Sequence, residues 1–384
     1  MSSFSTGQWP VPRAAYVHVP FCRHRCGYCN FSVVAGRDDL FDRYLAAVSR
    51  ELESLKRPTL DTLFIGGGTP THFDVERLQQ FLLLMRQRFT FAVDYEWSIE
   101  ANPEDITHEK VALLAEFGVN RISLGIQSFD EDKLRILERG HARQDAMDAV
   151  QTAAELISNV SIDLIFAVPD ETIEQWLRDL EVARQLPVNH LSTYALTVEK
   201  GTSFWSRQAR GELSGVGECC EVEMYQMARN ILQNSGFQHY EISSFAQSGS
   251  RCQHNLAYWK GNSWYAAGPG AARFVDGRRE VNHRSTTSYL RRVESGQSPT
   301  TELAEINPEQ FARERAAFGI RMIEGIDIKA IEKETGFALG SVCRNAIVQS
   351  VEDGLLVQPT PSRIKLSERG ILFADTVASR FLGP

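Results

Sequence analysis

The chain has 384 residues, of which 43% are hydrophobic and 23% are charged, and its formal net charge is −8. These values are typical of a globular protein of two or three domains. The negative net charge argues against a protein that binds nucleic acid through a broad basic face. Apolar runs of about 18 residues are missing, so no membrane-spanning helix is expected. The opening segment, MSSFSTGQWPVPRAA, lacks the basic start and apolar core of a secretory signal.

Seven cysteines are few for this length, and their odd number does not suit a secreted disulfide framework. We therefore expect the chain to reside in a reducing cytoplasm.

Residues 1–200 alternate short β-branched runs with amphipathic stretches, which predicts a parallel α/β sheet. The predicted helices cover residues 39–55, 75–88, 108–117, 144–157 and 173–185, and the predicted strands cover 16–19, 62–65, 96–100, 121–126, 161–166 and 191–196. Six strands are too few for the closed eight-stranded barrel. We expect an open, partial (β/α)6 TIM-like barrel with its functional residues at the carboxyl ends of the strands.

Two further units are expected, at residues 201–304 and 305–384. In the first, the pair Asp276-Gly277 between the short runs at residues 273–275 and 278–281 predicts a β-hairpin. In the second, three predicted helices precede two short strands and a final helix, which indicates a small winged-helix-like α+β domain. This domain has slightly more acidic than basic residues, so a packing or docking role is favoured over DNA binding.

The strongest chemical signal is the loop after the first strand, where Cys22, Cys26 and Cys29 have the spacing C-x3-C-x2-C. Three thiolates are one short of the usual complement of a structural zinc site or a self-contained iron–sulfur cluster. His18 or His24 could complete a zinc site, although no second C-x-x-C pair is nearby. A [4Fe–4S] cluster with one open iron is the favoured interpretation.

Polar residues also mark the following strands. Glu100, Gln127 and Asp163 lie at or within three successive apolar strands, where buried polar groups need partners. A hydroxyl-rich ligand in one shared cavity would provide those partners, although each residue alone could be satisfied within the core. Three glycines at residues 66–68 would let such a ligand approach the backbone, or could simply form a tight turn.

Together these motifs resemble the radical S-adenosylmethionine (SAM) superfamily, and within it the coproporphyrinogen-oxidase-like branch. The resemblance rests on the cysteine loop and on the segments GGGTP (66–70), EANP (100–103), GIQSF (125–129), DLIFAVP (163–169) and HNLAYW (254–259). It implies a [4Fe–4S] cluster on Cys22, Cys26 and Cys29, and it implies that SAM binds to the open iron and receives an electron there. The SAM-contacting positions that it implies are Tyr16, Gly68, Thr69, Glu100, Gln127, Arg139 and Asp163.

Two departures distinguish this chain from the true oxidative decarboxylases of the branch. Those enzymes have a further cysteine at the position of Phe31 and a longer extension before the cysteine loop. The resemblance therefore favours a heme chaperone, which binds heme and delivers it to acceptor apoproteins. An oxygen-independent coproporphyrinogen III oxidase is the alternative, so the sequence leaves open whether the chain is an enzyme.

His254, in the HNLAYW segment, is the candidate axial heme ligand, because imidazole binds heme iron and the neighbouring aromatic rings could cover a macrocycle. Cys252 is a second candidate. Ala272 stands where the family usually has histidine, and Ala167 stands where it usually has glycine. The four arginines around the predicted hairpin are expected to form a solvated face.

The partners that the resemblance implies are heme or a related tetrapyrrole, heme-acceptor apoproteins and an electron donor. Nucleic acid is not expected as a partner. The oligomeric state is left open, a homodimer included.

Overall fold

The structure, a computed structural model, describes residues 9–383, so part of the segment examined for a secretory signal lies outside the described residues. In the first half of the chain, strands and helices alternate. The strands are β1 (Ala14–Val19), β2 (Phe21–Cys22), β3 (Val34–Ala35), β4 (Thr59–Gly67), β5 (Thr90–Ala101), β6 (Arg121–Gln127), β7 (Asn159–Phe166) and β8 (His190–Ala195). The helices are α1 (Phe41–Leu52), α2 (Val75–Arg88), α3 (His108–Glu116), α4 (Glu131–Ile136), α5 (Arg143–Leu156) and α6 (Ile173–Ala183).

Strands β1, β4, β5, β6, β7 and β8 are parallel neighbours in that order. They include all six predicted strands, and the predicted partial (β/α)6 barrel is confirmed. Alternation along each strand separates two environments. In β5, Trp97 and Ile99 are fully buried among the outer helices, whereas Glu100 lines the interior of the barrel.

The middle of the chain contributes α7 (Ser203–Ala209), α8 (Glu218–Asn234), β9 (Gln238–Glu241), β10 (Ser244–Ala246), α9 (Gln253–Trp259), β11 (Trp264–Ala267), β12 (Ala272–Val275), β13 (Arg278–Asn282), α10 (Thr286–Glu294) and β14 (Thr300–Glu305). These strands extend both edges of the barrel into one sheet of 12 strands, in the order β14-β13-β12-β11-β1-β4-β5-β6-β7-β8-β10-β9. The sheet is thus continuous across residue 200, and the domain boundary there stays a prediction.

The predicted hairpin is present between β12 and β13, which pair antiparallel. Asp276 and Gly277 have φ angles of 50° and 74°, the left-handed conformations that a two-residue hairpin turn requires. Strand β11, which was not predicted, lies parallel to β1 and connects this hairpin to the barrel.

The last part of the chain contains α11 (Pro308–Gly319), β15 (Ile326–Asp327), α12 (Ile328–Thr335), α13 (Leu339–Val342), α14 (Arg344–Glu352), β16 (Leu356–Thr360), β17 (Arg363–Leu366), α15 (Glu368–Ile371) and α16 (Ala374–Leu382). The predicted winged-helix-like unit is confirmed, with β15 as a third strand beside the two predicted ones. Helix α11 begins at Pro308, where Asn307 and Gln310 form a capping box. Within residues 9–383, every helix is too short or too polar to span a lipid bilayer.

Candidate functional site

The three loop cysteines lie together at the carboxyl end of the barrel. Cys22 ends β2, and Cys26 and Cys29 lie in the loop that leads to β3, where the Cys29 N–H donates to the Cys26 carbonyl at 3.1 Å. All three are free and partly exposed, and all three line one cavity of about 160 Å³. The structure therefore brings together the three sulfur donors that the sequence predicts as cluster ligands.

The surroundings of these thiols suit an iron–sulfur cluster. The Thr69 hydroxyl lies 3.6 Å from Cys22 Sγ, and Arg139 Nη1 lies 3.6 Å from Cys26 Sγ, so both sulfurs have a donor that can stabilise negative charge. Burial raises the pKa of Cys22 to about 12, so this group becomes a thiolate at neutral pH only when a metal replaces its proton. A bound cluster would supply one-electron chemistry at the iron that the protein leaves open.

The zinc alternative fits less well. Both ring nitrogens of His18 are engaged within the protein, Nδ1 with the Tyr16 hydroxyl and Nε2 with the Ser32 carbonyl, each at 3.0 Å. His24 lines the same cavity as the cysteines, but it is exposed and its Nε2 faces Glu138 at 3.7 Å. Among the described residues, no three His, Cys, Asp or Glu side chains converge on one point as a single metal ion requires. A cube-shaped cluster does not need this convergence, because each cysteine binds a different iron.

Six of the residues expected to contact SAM line the same cavity as the cysteines, namely Gly68, Thr69, Glu100, Gln127, Arg139 and Asp163. They come from the ends of four neighbouring strands and the segment after α4, and parallel strand ends meet at one edge of the sheet. Tyr16, the seventh, lines a second, larger cavity beside Glu100 and Asp163.

A chain of hydrogen bonds fixes Arg139 beside the cysteine loop. Arg139 Nη2 donates to Asn102 Oδ1 at 2.6 Å and to the Gly125 carbonyl at 2.8 Å, and Asn102 Nδ2 donates to Thr69 Oγ1 at 2.9 Å. Arg139 is therefore part of the site and not a solvated residue at a helix end. Asn102 was not singled out from the sequence, although it lies within the EANP segment that marks this strand end.

Two carboxyl groups face each other at the junction of the two cavities. Burial raises the pKa of Glu100 to about 7, the nearby Asp163 adds to this rise, and the hydrogen bond that Glu100 accepts from the Gly67 N–H at 2.8 Å opposes it. Burial also raises the pKa of Asp163, against hydrogen bonds from Ser192 and Ser123. Both groups are thus suited to share hydrogen bonds with a neutral hydroxyl-bearing ligand.

The glycines of the GGGTP segment are required by close protein neighbours. Gly67 has a φ of 105°, and a Cβ there would lie 2.2 Å from the His18 ring. A Cβ on Gly68 would lie 2.6 Å from the Phe21 carbonyl. The first strand and the start of the cysteine loop therefore pack closely against these glycines and occupy much of the space that side chains would need.

The larger cavity has a volume of about 760 Å³ and lies inside the barrel. It shares Phe31, Glu100, Ser123 and Asp163 with the smaller cavity, so the two cavities are adjacent. One part of its wall is aromatic and the other is polar. The aromatic part consists of Phe64, Tyr258, Trp259, Trp264 and Phe318, and Phe318 comes from α11 of the C-terminal unit.

His254 lines this larger cavity but is 1% exposed and already has two partners. Its Nδ1 lies 2.9 Å from Thr62 Oγ1, and its Nε2 lies 3.0 Å from the Tyr258 hydroxyl. Burial lowers the pKa of His254 to about 3, so the ring is neutral at physiological pH, as a metal ligand must be. Binding of iron would require Nε2 to exchange the Tyr258 hydroxyl for the metal.

Two other residues singled out from the sequence lie at this cavity. Ala272 lines its wall, and Phe31 is 58% exposed at the edge shared with the smaller cavity. The hairpin arginines form the expected solvated face only in part, because Arg278 and Arg284 are exposed whereas Arg273 and Arg279 are partly buried. Arg273 pairs with Glu51 and Glu280, Arg278 with Glu305, and Arg279 with Glu314, while Arg284 donates to the Asn30 carbonyl.

Comparisons with known proteins agree with this geometry. Residues 16–183 match the family described as the Radical SAM superfamily, and residues 306–373 match the HemN C-terminal domain. The chain is 32% identical over 377 residues to the heme chaperone HemW of Bacillus subtilis (strain 168), which covers 97% of this chain and 99% of that protein. It is 34% identical over 382 residues to the heme chaperone HemW of Mycobacterium tuberculosis (strain ATCC 25618 / H37Rv), covering 97% and 95%.

Among solved structures, the coproporphyrinogen III oxidase HemN of Escherichia coli superposes with a TM-score of 0.85 over 97% of this chain and 91% of that chain, at 21% identity. That likeness shows a common fold. The partial barrel with its three-cysteine loop is that of a radical SAM protein, a class that implies a [4Fe–4S] cluster and SAM. Within this superfamily, the full-length similarity places the chain in the HemW family.

Proposed function

We propose that this protein binds heme and delivers it to acceptor apoproteins, and that it carries a [4Fe–4S] cluster on Cys22, Cys26 and Cys29 together with SAM. The similarity to HemW proteins over nearly the whole chain carries the proposal. The adjacency of a thiol-lined cavity and a larger, partly aromatic one supports it, because the two ligands would then lie side by side.

In this proposal, seven residues that line the two cavities hold SAM. Glu100 and Asp163 form hydrogen bonds with the hydroxyl groups of SAM. Arg139 supplies positive charge beside the cysteine loop. The remaining proposed contacts are Tyr16, Gly68, Thr69 and Gln127.

The larger cavity is the proposed heme site. Its volume of about 760 Å³ lies within the range of small-molecule sites, and its aromatic wall suits the face of a macrocycle. His254 is the proposed axial ligand. Tyr258 competes with iron for the same ring nitrogen, so it is expected to set the affinity of the site for heme.

The proposal is tested by titrating heme into anaerobically reconstituted protein. His254→Ala is expected to lose the Soret band of ligated heme, whereas Tyr258→Phe, which frees Nε2, is expected to retain it and to bind more tightly. An unchanged affinity and spectrum in His254→Ala would remove His254 from the heme site. Transfer of heme from wild type to a heme-free acceptor tests delivery itself.

The cluster is tested with a triple Cys→Ala variant of the loop, compared with a control in which Cys219 and Cys220 become alanine. Only the loop variant is expected to lose iron and the cluster absorption. Incubation of the reconstituted protein with SAM, a reductant and coproporphyrinogen III tests the alternative. Release of carbon dioxide with formation of protoporphyrinogen would identify an oxidase instead of a chaperone.

A cytoplasmic location is part of the proposal, and free cysteines throughout the described chain are consistent with it. An electron donor and a homodimeric state also remain proposals, and analytical ultracentrifugation of the reconstituted protein tests the second.

A further inference from the structure

Arg121 is a buried cation without a complete set of partners. It begins β6, is 3% exposed and lines the larger cavity. Its Nε and Nη1 atoms are buried and have no hydrogen-bond partner. Donors of a charged group that stay unpaired in the interior are energetically costly, so such a group indicates a missing partner.

The charged groups that face Arg121 do not supply this partner. Glu96 of β5 and Asp163 of β7 lie close enough to influence it, yet neither accepts a hydrogen bond from its buried Nε and Nη1 atoms. Glu96 instead accepts from the backbone N–H groups of Gln253 and His254, at 2.9 and 3.0 Å. Asp163 accepts from Ser123 at 3.3 Å.

The neighbouring wall is rich in hydroxyl groups, contributed by Ser123, Ser192 and Tyr194. Burial raises the pKa of Asp163, which reduces the negative charge that an incoming anion would meet. The cavity thus has a donor-rich end around Arg121 and an aromatic end around Trp264. A ligand that suits both ends is flat and apolar and carries an acidic group at its edge.

We propose that Arg121 is a carboxylate-recognition site inside the barrel, where its guanidinium binds one acidic side chain of the ligand in the larger cavity. Arginine suits this task, because its fork of donors matches the two oxygens of a carboxylate. The ligand class, a tetrapyrrole with propionate groups, rests on the proposed function. The site itself rests on the unpaired guanidinium.

The test compares two iron-free probes, protoporphyrin IX and its dimethyl ester, in fluorescence titrations of the full-length reconstituted protein. Without iron, ligation by His254 does not contribute, and the ratio of the two affinities reports recognition of the carboxylates. Wild type is expected to bind the diacid about ten- to a hundredfold more tightly than the diester. Arg121→Met is expected to bind both equally, and Arg121→Lys is expected to retain part of the preference.

Arg284→Met is the matched control, because Arg284 also lines this cavity but is exposed and donates to Asn30 and Ser32. It is expected to keep the wild-type ratio. Circular dichroism melting of each variant establishes that it is folded, and Arg121→Lys preserves the buried charge if Arg121→Met does not fold. The carboxylate site is overturned if the folded Met or Lys variant keeps the wild-type ratio of the two affinities. It is also overturned if wild type binds both probes equally. Either result leaves the proposed heme binding intact. A wild type that binds neither porphyrin nor heme overturns the proposed function as well.

Discussion

Ala167 has a φ of 60°, a left-handed conformation at the end of β7 that favours glycine, and it is 6% exposed. This is the position where the resemblance leads one to expect glycine. Ala167→Gly is expected to raise the free energy of unfolding by about 0.5–1 kcal/mol, because it relieves backbone strain that exceeds the entropy cost of the glycine.

Chemical denaturation measures this effect. Ala101→Gly is the control, because Ala101 is similarly buried, at 4% exposure, and lies at the end of β5 without a left-handed conformation. Ala101→Gly is expected to lower the free energy of unfolding by about 1 kcal/mol. A similar decrease in the free energy of unfolding for Ala167→Gly would show that the backbone is not strained at this position.

Glu100 makes stability depend on pH in a direction opposite to that of a salt-bridged carboxylate. Its pKa of about 7 in the fold exceeds the ordinary value of 4.5, because burial disfavours the charged form. Between these two pH values the folded protein keeps a proton that the unfolded chain has released, so stability falls as pH rises from 4.5 to 7. The loss amounts to about 2–3 kcal/mol.

Glu100→Gln removes this ionisation and retains an oxygen for the Gly67 N–H. Relative to wild type, the variant is expected to gain stability as pH rises through that interval, as measured by denaturation at several pH values without ligands. The exposed Glu116→Gln is the control and is expected to leave the curve unchanged. Parallel curves for Glu100→Gln and wild type would show that Glu100 is ionised in the fold.

At the residue scale, the sequence predicted site residues that lie at strand ends, because parallel strands bring their carboxyl ends to one edge. It could not show that Arg121 is buried, since an arginine before an apolar run is ordinarily a charged residue at the start of a strand. Nor could it show that both nitrogens of His254 are engaged, because Thr62 and Tyr258 reach it from different elements.

Among the elements, the loops after β6 and β7 are tied together by one buried cation. Lys133 of α4 is 1% exposed, contacts Glu171 and lies 2.7 Å from Asp179 Oδ2. Asp179 accepts from Ser128 Oγ and the Phe129 N–H, both at 2.7 Å. The segment that follows Gln127 therefore depends on this triad for its position.

Lys133→Met is expected to lower the free energy of unfolding by about 3–5 kcal/mol, because two carboxylates would remain buried without their cation. Urea denaturation measures the loss. Arg135→Met, on the same helix, is the control, because Arg135 pairs with Asp132 at the surface, where both side chains are more than two-thirds exposed. Its expected cost is below about 1 kcal/mol. Equal decreases in the free energy of unfolding of the two variants would show that the buried triad stabilises the fold no more than the surface pair does.

The predicted elements share a physical reason, which is local periodicity: six apolar strands alternate with amphipathic helices. Strand β11 has four residues and its pairing with β1 joins distant parts of the chain, so no local pattern marks it. The same reasoning explains why the sequence did not predict that β12, β13 and β14 continue the sheet of the barrel.

At the scale of the whole molecule, the C-terminal unit reaches the larger cavity through α11, which contributes Phe318 to its wall. Arg279 of β13 holds this helix by two bonds to Glu314, of 3.0 and 2.8 Å. Both side chains are partly buried, with exposures of 28% and 17%, so the pair is shielded from solvent. Release of a ligand from the cavity is therefore expected to depend on this contact.

Arg279→Met is expected to accelerate heme release about tenfold, which corresponds to the loss of one charge-assisted, partly buried pair, while SAM affinity is unchanged because the cysteine loop lies elsewhere. Stopped-flow transfer of heme to excess apomyoglobin measures the rate. Arg278→Met is the control on the same strand, since Arg278 and Glu305 are 59% and 72% exposed, and it is expected to release heme at the wild-type rate. Equal rates in all three proteins would mean that heme leaves without movement of α11, through the edge of the cavity where Phe31 is exposed.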